Sequence, residues 1–310
     1  MKKLLLLSAL FACWLGLAAA APSGGGDRAE PAPTDYFGVR LEPGEYSRII
    51  TLAPNLTEML HFLGAFDRVI GVTSYDDYPP ETASRERIGG YIDPDVEKIV
   101  ALRPDLVLAY RGNPLPVIHK LKELGVPVFV LDNPQTLAEI GEQMAKLGRL
   151  LMVGEEHRRR VQGFRRALDE AFVRGATLPR HPRVMMLACS FQPPFYAAGR
   201  GTFIHDLIRV AGGENAFRAD GFGIVTPEEF LAADPEFLLI PEPPEEGFRE
   251  RLLAALNAQP CLAQTTALTQ RQVIFIDENV LSRPGPRILE ALRLLQDALL
   301  AAGREGGAGD

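Results

Sequence analysis

The stretch Glu155–Arg174, EEHRRRVQGFRRALDEAFVR, predicts one long amphipathic helix in the middle of the chain. Its apolar residues recur every three or four positions and form one stripe on an otherwise charged surface: Val161, Phe164, Leu168, Ala171 and Phe172. Gly175 is expected to end the helix in a left-handed cap, and Pro179 prevents its continuation. At ~1.5 Å per residue the helix spans roughly 30 Å, about the width of a small domain. It therefore predicts a strut between two halves of the chain.

The overall composition is that of a globular protein with more than one core. The chain has 310 residues, of which 46% are hydrophobic and 24% are charged. Single cores stop growing near about 250–300 residues, so a chain of this length favours more than one lobe. Its formal charge of −7 argues against a nucleic-acid partner, which would normally require a basic surface.

Residues 1–20 have the features of a signal peptide. A basic start precedes the apolar run Leu4–Leu17, and the small residues Ala18–Ala20 provide a cleavage site. Cys13 lies in a sequence that resembles a lipobox, so a lipid anchor at this residue is the alternative. Because the apolar run continues past Cys13, the sequence favours a soluble protein exported to the periplasm.

Two further cysteines, Cys189 and Cys261, follow in the second half of the chain. Cysteines in an oxidising compartment can pair, but their distance in sequence does not show that they do. Two half-buried thiols are the favoured interpretation.

The alternation of strands and helices predicts two α/β lobes. Short apolar runs typical of buried strands alternate with helical segments on both sides of the central helix. The predicted strands are Arg48–Ala53, Val69–Thr73, Leu106–Tyr110 and Val126–Leu131 before the helix, and Val184–Ala188, Phe237–Ile240 and Val273–Ile276 after it. The predicted fold class is α/β, with two Rossmann-like lobes that contain mainly parallel sheets and are joined by a single long connecting helix.

The predicted domain boundaries follow this pattern. Residues 21–46 are rich in Pro, Gly and Ala and are predicted to form a flexible leader. The N-terminal lobe is assigned to residues 47–152, the connecting helix to 153–177 and the C-terminal lobe to 178–302. Residues 303–310 are expected to form a frayed tail.

The two lobes share one sequence segment. Residues 97–108, EKIVALRPDLVL, align without a gap with residues 228–239, EEFLAADPEFLL. Both segments predict a short helix, a break that contains a proline and a buried strand. This internal similarity favours two related lobes.

None of the common catalytic motifs occurs in the sequence. The G-x-S-x-G, Walker, G-x-G-x-x-G and H-E-x-x-H patterns are all missing. The five histidines are scattered, although His61 and His205 lie in helices that open the two lobes. A metal site between the lobes is therefore the alternative to surface or packing roles, which are favoured. The sequence predicts a protein that is not an enzyme.

Aromatic residues follow the predicted strands in both lobes. Tyr75, Tyr91 and Tyr110 do so in the first lobe, and Phe195 and Phe222 in the second, where the polar Asn279 and Arg283 come later. In open parallel sheets, ligands bind where loops converge outside the carboxyl ends of the strands. Aromatic rings provide rigid contact area there, and polar groups set the orientation of the ligand. Core packing explains any one of these rings, but the set as a whole predicts a ligand cleft.

Four segments resemble a known family of transport proteins. They are RIITLAPNLTE at 48–58, GVTSYDDYPP at 71–80, EKIVALRPD at 97–105 and RPGPR at 283–287. In this order they resemble the helical-backbone solute-binding proteins of ABC importers, which serve cobalamin, haem and ferric-siderophore uptake. The resemblance covers about Arg48–Leu300, and the SYDDYPP segment is most similar to the periplasmic cobalamin-binding branch.

This resemblance implies ligand-binding roles for five aromatic residues. Tyr75 matches an aromatic residue that contacts the corrin ring in the cobalamin-binding branch. Tyr91, Tyr110 and Phe222 stand where that branch has tryptophans. Phe195 falls in the matching Pro-Pro-Phe segment.

The resemblance also implies roles for four polar residues. Arg283 matches an arginine of the last ligand loop, and Asn279 stands where the family has an aspartate. Glu97 and Glu228 are implied to dock onto arginines of the membrane permease.

The predicted function is therefore that of the substrate-binding component of an ABC importer. The protein is expected to act as a monomer without a cofactor, capturing a corrinoid between its lobes and delivering it to an inner-membrane permease and its ATPase. A haem or ferric-siderophore carrier is the alternative within the same fold. Tyr75 or Tyr110 could supply an axial haem ligand, whereas an anionic siderophore would require more cleft arginines than Arg111 and Arg283. A metal-ion carrier and an α/β enzyme are weaker alternatives.

Overall fold

The computed structural model describes residues 31–188, 191–192 and 194–305. The predicted signal peptide with Cys13, the start of the predicted leader, Cys189 and the end of the predicted tail lie outside these residues. Cys261 is a half-buried free thiol. Among the described residues, no helix is both long and apolar enough to cross a membrane.

The first lobe contains a five-stranded parallel sheet in the order β3-β2-β1-β4-β5. Its elements are β1 (Ile49–Thr51), α1 (Pro54–Leu63), β2 (Val69–Val72), β3 (Glu86–Arg87), α2 (Val96–Ala101), β4 (Leu106–Tyr110), α3 (Leu115–Glu123), β5 (Val128–Leu131) and α4 (Leu137–Leu150). The strands β1, β4 and β5 are buried along their whole length, as expected for a parallel sheet that helices cover on both faces.

The connecting helix α5 (Glu155–Gly175) leads to a six-stranded mixed sheet. The second-lobe elements are β6 (Arg183–Ala188), β7 (Phe195–Ala198), α6 (Phe203–Ala211), β8 (Glu214–Asn215), β9 (Phe222–Val225), α7 (Pro227–Ala233), β10 (Phe237–Glu242), α8 (Phe248–Asn257), α9 (Pro260–Ala263), α10 (Thr266–Thr269), β11 (Val273–Asp277), α11 (Glu278–Ser282) and α12 (Ile288–Glu305). The strand order is β11-β10-β6-β7-β9, and β8 pairs with β6. Strand β7 runs antiparallel to both of its neighbours, which the sequence did not predict.

One apolar core joins the two lobes through a shared layer of helices. Helix α5 contacts α1 and α4 from the first lobe and α6 and α12 from the second. Its buried residues Val161, Phe164 and Leu168 belong to the same cluster as Leu108 in β4 and Leu239 in β10. The outer face of each sheet has a separate core beneath its own helices. The predicted α/β fold class with two sheet-containing lobes is confirmed.

The connecting helix begins at the predicted residue and ends one residue later than predicted. The expected left-handed cap at Gly175 is wrong, because Gly175 is the last helical residue and Ala176 after it also has right-handed backbone angles. A methyl group added at Gly175 would lie 2.7 Å from the Val210 carbonyl oxygen and 2.9 Å from the Ala211 carbonyl carbon. Glycine is therefore required here for the close approach of α5 to the end of α6.

Part of the predicted flexible leader packs against the first lobe. The Tyr36 amide donates a hydrogen bond of 2.7 Å to the Val130 carbonyl, and the Gly44 amide donates one of 3.0 Å to Leu150. The buried Asp35 carboxylate lies 3.8 Å from the Lys122 ammonium group. We call residues 32–46 the strap, and for them the prediction of a free leader is wrong.

The end of the described chain also differs from the prediction. Helix α12 continues to Glu305, so it includes the first residues of the segment predicted as a frayed tail. Near this end, a methyl group at Gly303 would lie 3.5 Å from the side chain of Leu178. The last turns of α12 therefore pack near the chain that follows α5.

Two glycines in α5 provide a matched test of this packing. A methyl group at Gly163 meets no atom within 4 Å, so Gly163→Ala should raise the free energy of unfolding by about 0.5–1 kcal/mol through helix propensity. Gly175→Ala should lower it by about 1–3 kcal/mol, because the added methyl group meets backbone that cannot move aside. Urea unfolding of both variants measures the two effects. Equal changes of the same sign would contradict close α5–α6 packing.

Candidate functional site

The carboxyl edges of the two sheets meet in one polar network. Arg283, in the loop after α11, donates hydrogen bonds to Asp77 Oδ1 (2.5 Å), to the Tyr75 carbonyl (2.9 Å) and to Glu58 Oε1 (3.0 Å). Asn279 donates to the other oxygen of Asp77 at 2.8 Å. Tyr75 and Asp77 follow β2, whereas Asn279 and Arg283 follow β11. The structure thus brings together three of the predicted site residues, Tyr75, Asn279 and Arg283, from opposite lobes.

Glu58 in α1 is the buried centre of this network. Its side chain is fully buried and pairs with Arg283 at 3.0 Å and with Arg287 at 3.5 Å. Burial raises the pKa of Glu58 from 4.5 to about 7, although the two arginines act in the opposite direction. The second oxygen, Oε2, has no hydrogen-bond partner among the described residues. The sequence did not single out Glu58, since nothing local distinguishes it from a helix-surface glutamate. We call Glu58, Asp77, Asn279, Arg283 and Arg287 the interlobe network.

At the other end of the seam between the lobes, a second bond joins them. Asp206 in α6 accepts a hydrogen bond of 2.8 Å from the amide of Leu137, at the start of α4. Both atoms are buried, and the free amides at a helix start favour a carboxylate. The lobes are therefore held at two separated positions, with the strand ends between them.

The Tyr75 ring lies against Gly90, and the Tyr91 hydroxyl lies against Gly112, after the strands of the first sheet. The Tyr75 side chain is 60% exposed, whereas Tyr91 is half-buried. A methyl group at Gly90 would lie 3.3 Å from the Tyr75 ring, and one at Gly112 would overlap the Tyr91 hydroxyl. Two glycines therefore leave the space in which these rings lie.

Tyr110 does not line the cleft in the way the sequence predicted. It is only 2% exposed, and its hydroxyl donates a hydrogen bond of 2.6 Å to Gln143 Oε1 in α4. The expectation of a partly exposed ring is wrong because Tyr110 shares a strand face with Leu106 and Leu108, which point into the helical layer. Burial also raises the pKa of Tyr110 well above its ordinary value, which disfavours a phenolate.

In the second lobe, Tyr196 directly after the Pro-Pro-Phe segment is exposed, whereas Phe195 is not. Phe195 is 1% exposed and packs in the outer core, whereas Tyr196 is 47% exposed. Tyr196 pairs with Ile224 across β7 and β9, and Ala198 pairs with Phe222. Directly paired residues share a sheet face, so an exposed apolar surface forms there. We call Tyr196, Phe222 and Ile224 the β7–β9 surface.

The β7–β9 surface faces the side of the sheet that carries the shared helices. Ala198 on this face belongs to the core cluster that joins the lobes, and Ala188, which pairs with Tyr196, packs against the same cluster. Phe222 is 59% and Ile224 is 54% exposed. The sequence identified Phe222 but not Tyr196 and Ile224, because neither β7 nor β9 was predicted as a strand.

The histidines named by the sequence have packing roles. The His61 ring makes edge contacts with Phe66 and Tyr78, and His205 Nδ1 lies 3.3 Å from the Asn215 amide nitrogen. Within the described ranges, no group of three or more His, Cys, Asp or Glu residues could hold a metal ion.

Glu97 and Glu228 occupy equivalent positions in the two lobes. Each is the second residue of a short helix, α2 or α7, and each is exposed. Capping is not their role, because Asp95 caps α2 and Thr226 caps α7. Neither glutamate has a hydrogen bond or an ion pair within the part of the chain that the structure describes.

Glu58→Gln should change how stability depends on pH. Because the folded-state pKa of about 7 exceeds the ordinary 4.5, the folded protein binds this proton more tightly than the unfolded chain. The resulting stabilisation is complete below about pH 4.5 and is lost as pH rises through about 7. The unfolding free energy of the wild type, minus that of Glu58→Gln, should therefore fall between about pH 5 and pH 8 in urea titrations. Glu97→Gln is the exposed control, and profiles for Glu58→Gln and wild type that stay parallel would contradict the assignment.

Comparison with known proteins agrees with this geometry. The periplasmic binding protein family matches residues 49–280. The chain is 26% identical to an uncharacterised ABC transporter substrate-binding lipoprotein, YvrC, of Bacillus subtilis, over 84% of this chain and 81% of that protein. It is 29% identical to a vitamin B12-binding protein of Pectobacterium atrosepticum, over 79% and 85% respectively.

A solved structure extends the comparison. The periplasmic haem-binding protein RhuT of Roseiflexus sp. RS-1, in its apo form, superposes with a TM-score of 0.75 at 28% identity, covering 83% of this chain and 99% of RhuT. The matched region includes both sheets and the helix between them. The chain therefore belongs to the periplasmic binding protein family, the substrate-binding proteins of ABC transporters.

Proposed function

We propose that this protein captures a corrinoid between the carboxyl edges of its two sheets and delivers it to an ABC importer. The observation that carries the proposal is the exposure of aromatic rings in both lobes, Tyr75 after β2 in the first and the β7–β9 surface with Tyr196 and Phe222 in the second. The network around Arg283 ties the two lobes together beside Tyr75.

This arrangement suits a large ligand with apolar faces and a polar rim. Binding is favoured when a flat ligand covers exposed rings such as Tyr75, Tyr196 and Phe222 and removes them from water. Asn279 and Arg283 supply hydrogen-bond donors beside Tyr75, which can orient amide oxygens at the edge of a corrin ring. Binding of this kind needs no covalent chemistry.

The surroundings of Tyr75 support a corrinoid over haem. Haem commonly takes an axial His or Tyr ligand, and the burial of Tyr110 leaves Tyr75 as the candidate. Arg283 donates to the Tyr75 carbonyl, and the Tyr75 hydroxyl has no hydrogen-bond partner among the described residues. No neighbouring group therefore fixes the Tyr75 oxygen in position for an iron ion, as the hydrogen-bonded partners of metal ligands commonly do. The 29% identity with a vitamin B12-binding protein also supports this choice.

Haem is the second candidate, and a specific observation favours it as well. The Tyr75 phenol is 60% exposed and accessible to a ligand, and the haem-binding protein RhuT has the same fold at 28% identity. Haem would need the Tyr75 hydroxyl as an iron ligand, whereas a corrin needs only the Tyr75 ring.

Delivery to the importer is proposed to use Glu97 and Glu228. Each glutamate places an unpaired negative charge on one lobe at a matching position, and other residues do the capping. Such exposed charges mainly steer association and fix orientation, with an effect that falls as salt rises.

Two changes at Tyr75 should distinguish the ligands. The wild type is expected to bind cyanocobalamin or dicyanocobinamide at one equivalent per chain in calorimetry. Tyr75→Ala should weaken this binding by ~1–3 kcal/mol through loss of the ring, whereas Tyr75→Phe should keep it. Phe172→Ala, which removes a 49%-exposed ring from the connecting helix, is the control. Heat with haemin alone, together with a visible spectrum that Tyr75→Phe abolishes, would move the assignment to haem.

The docking proposal has its own test in proteoliposomes that contain the importer. Glu97→Lys combined with Glu228→Lys should leave ligand affinity nearly intact but abolish stimulation of the ATPase, because the importer then meets positive charges. Glu81→Lys combined with Glu246→Lys changes the net charge equally at exposed positions elsewhere on each lobe. Normal transport with the variant that combines Glu97→Lys and Glu228→Lys would show that docking uses other residues.

A further inference from the structure

The strap carries an aromatic residue to the edge of the cleft. Residues 32–46 precede the part of the chain that the family matches, residues 49–280. The Tyr36 amide bonds to Val130, near the end of the edge strand β5. Asp35 Oδ1 accepts hydrogen bonds from the amides of Phe37 (2.9 Å) and Val39 (2.8 Å), which holds the turn around Tyr36.

The Tyr36 ring lies against a charged pair at the strand ends. The Arg111 guanidinium carbon is 4.9 Å from the centre of the Tyr36 ring, within cation–π distance. Arg111 follows β4 directly and pairs with Asp132, which follows β5, at 3.2 Å. Tyr36 is 40% exposed, and the Arg111 side chain is 53% exposed. All three side chains therefore reach solvent at the carboxyl edge.

The order of the strands places this cluster far from the interlobe network. Across the sheet, Tyr75 follows β2, Arg111 follows β4, and Asp132 follows β5 at the edge, with Tyr36 on the strap beyond it. Tyr91 lies between, because its hydroxyl is beside Gly112, the residue after Arg111. The cleft edge of the first lobe thus has an arginine near each end: Arg283, which reaches Tyr75 from the second lobe, and Arg111, which belongs to the first lobe itself.

We propose that Tyr36 and Arg111 form a second polar anchor of the cleft, which binds a carbonyl or carboxylate oxygen at the rim of the ligand. This inference rests on the proposed function and names the subsite for the rim of the ligand. Arg111 uses one of its five donors on Asp132 within the described residues, so others remain for a ligand oxygen. Tyr36 is the positioning residue: its ring supports the planar guanidinium and limits its rotation.

The strap contains a matched comparison for this role. Phe37 is 43% exposed, and its ring lies 5.3 Å from the Lys122 ammonium nitrogen, which is also a cation–π contact. Because the Phe37 ring also makes an edge contact of 5.0 Å with the Tyr36 ring, the comparison uses Phe37→Leu, which removes the contact with Lys122 and keeps an apolar neighbour for Tyr36. Lys122 is in α3 rather than at a strand end. If cation–π contacts on the strap serve only to hold it in place, Tyr36 and Phe37 should behave alike.

The test measures the affinity of five variants by calorimetry with cyanocobalamin, dicyanocobinamide and haemin. Tyr36→Ala and Arg111→Ala should each weaken binding of the ligand that the wild type takes by about fivefold or more. The double variant should bind no more weakly than Arg111→Ala, because Tyr36 acts through Arg111. Tyr36→Phe should retain affinity through its ring, and Phe37→Leu should stay within about twofold of the wild type.

Three outcomes would overturn the inference. If Tyr36→Ala binds with wild-type affinity, Tyr36 is not part of the site, and the proposed function still stands. Equal losses of affinity in Tyr36→Ala and Phe37→Leu, with equal drops in melting temperature, would show that the strap acts only on stability. A wild type that binds none of the three probes would contradict the proposed function together with this inference.

Discussion

Burial of the apolar stripe on α5 is the constraint on which the rest of the structure depends. Val161, Phe164 and Leu168 pack into helices that both sheets share, so the two lobes have one continuous core. Burying such side chains contributes roughly 1.5–3 kcal/mol each, and separating the lobes would expose them again. Gly175 permits the close contact of α5 with α6, which brings the helix against the second lobe. Because of this packing, the carboxyl edges of the two sheets face each other.

With the edges facing each other, charged groups from distant parts of the chain become neighbours. Glu58 is unfavourable as an isolated buried carboxylate, and its raised pKa records that cost. Arg283 and Arg287 of the second lobe offset part of this cost. If the lobes separated, Glu58 in the first lobe and the two arginines in the second would each lose their charge partner. The interlobe network therefore favours one relative position of the lobes beside Tyr75.

Strand position and alternation explain which of the predicted aromatic residues are exposed. Tyr75 follows a strand and Phe222 lies on an exposed sheet face, so both rings reach solvent. Tyr110 and Phe195 lie within strands, where a shift of one residue moves a ring from solvent to core. The end of β4 was predicted correctly, but the helix α4 that covers Tyr110 comes from elsewhere in the chain. Strand β7 was not predicted, so no alternation could be assigned to Phe195.

By itself, the sequence determined the features that depend on local periodicity and local caps. These include the limits of α5 to within one residue, the strands β4, β6 and β10, and the matching positions of Glu97 and Glu228. They could be read directly because an amphipathic stripe or an apolar run requires no knowledge of distant residues. The similarity of residues 97–108 to residues 228–239 likewise appears as matching helix–strand units in both lobes.

Only the tertiary structure decided the contacts between residues far apart in the chain. The pairing of Glu58 with Arg283 spans 225 positions, and Tyr36 meets Arg111 only because the strap lies against β5. The exposed face shared by Tyr196 and Ile224 likewise required the β7–β9 register. Each of these depends on how separate elements pack, and a local sequence pattern carries no information about the partner's position.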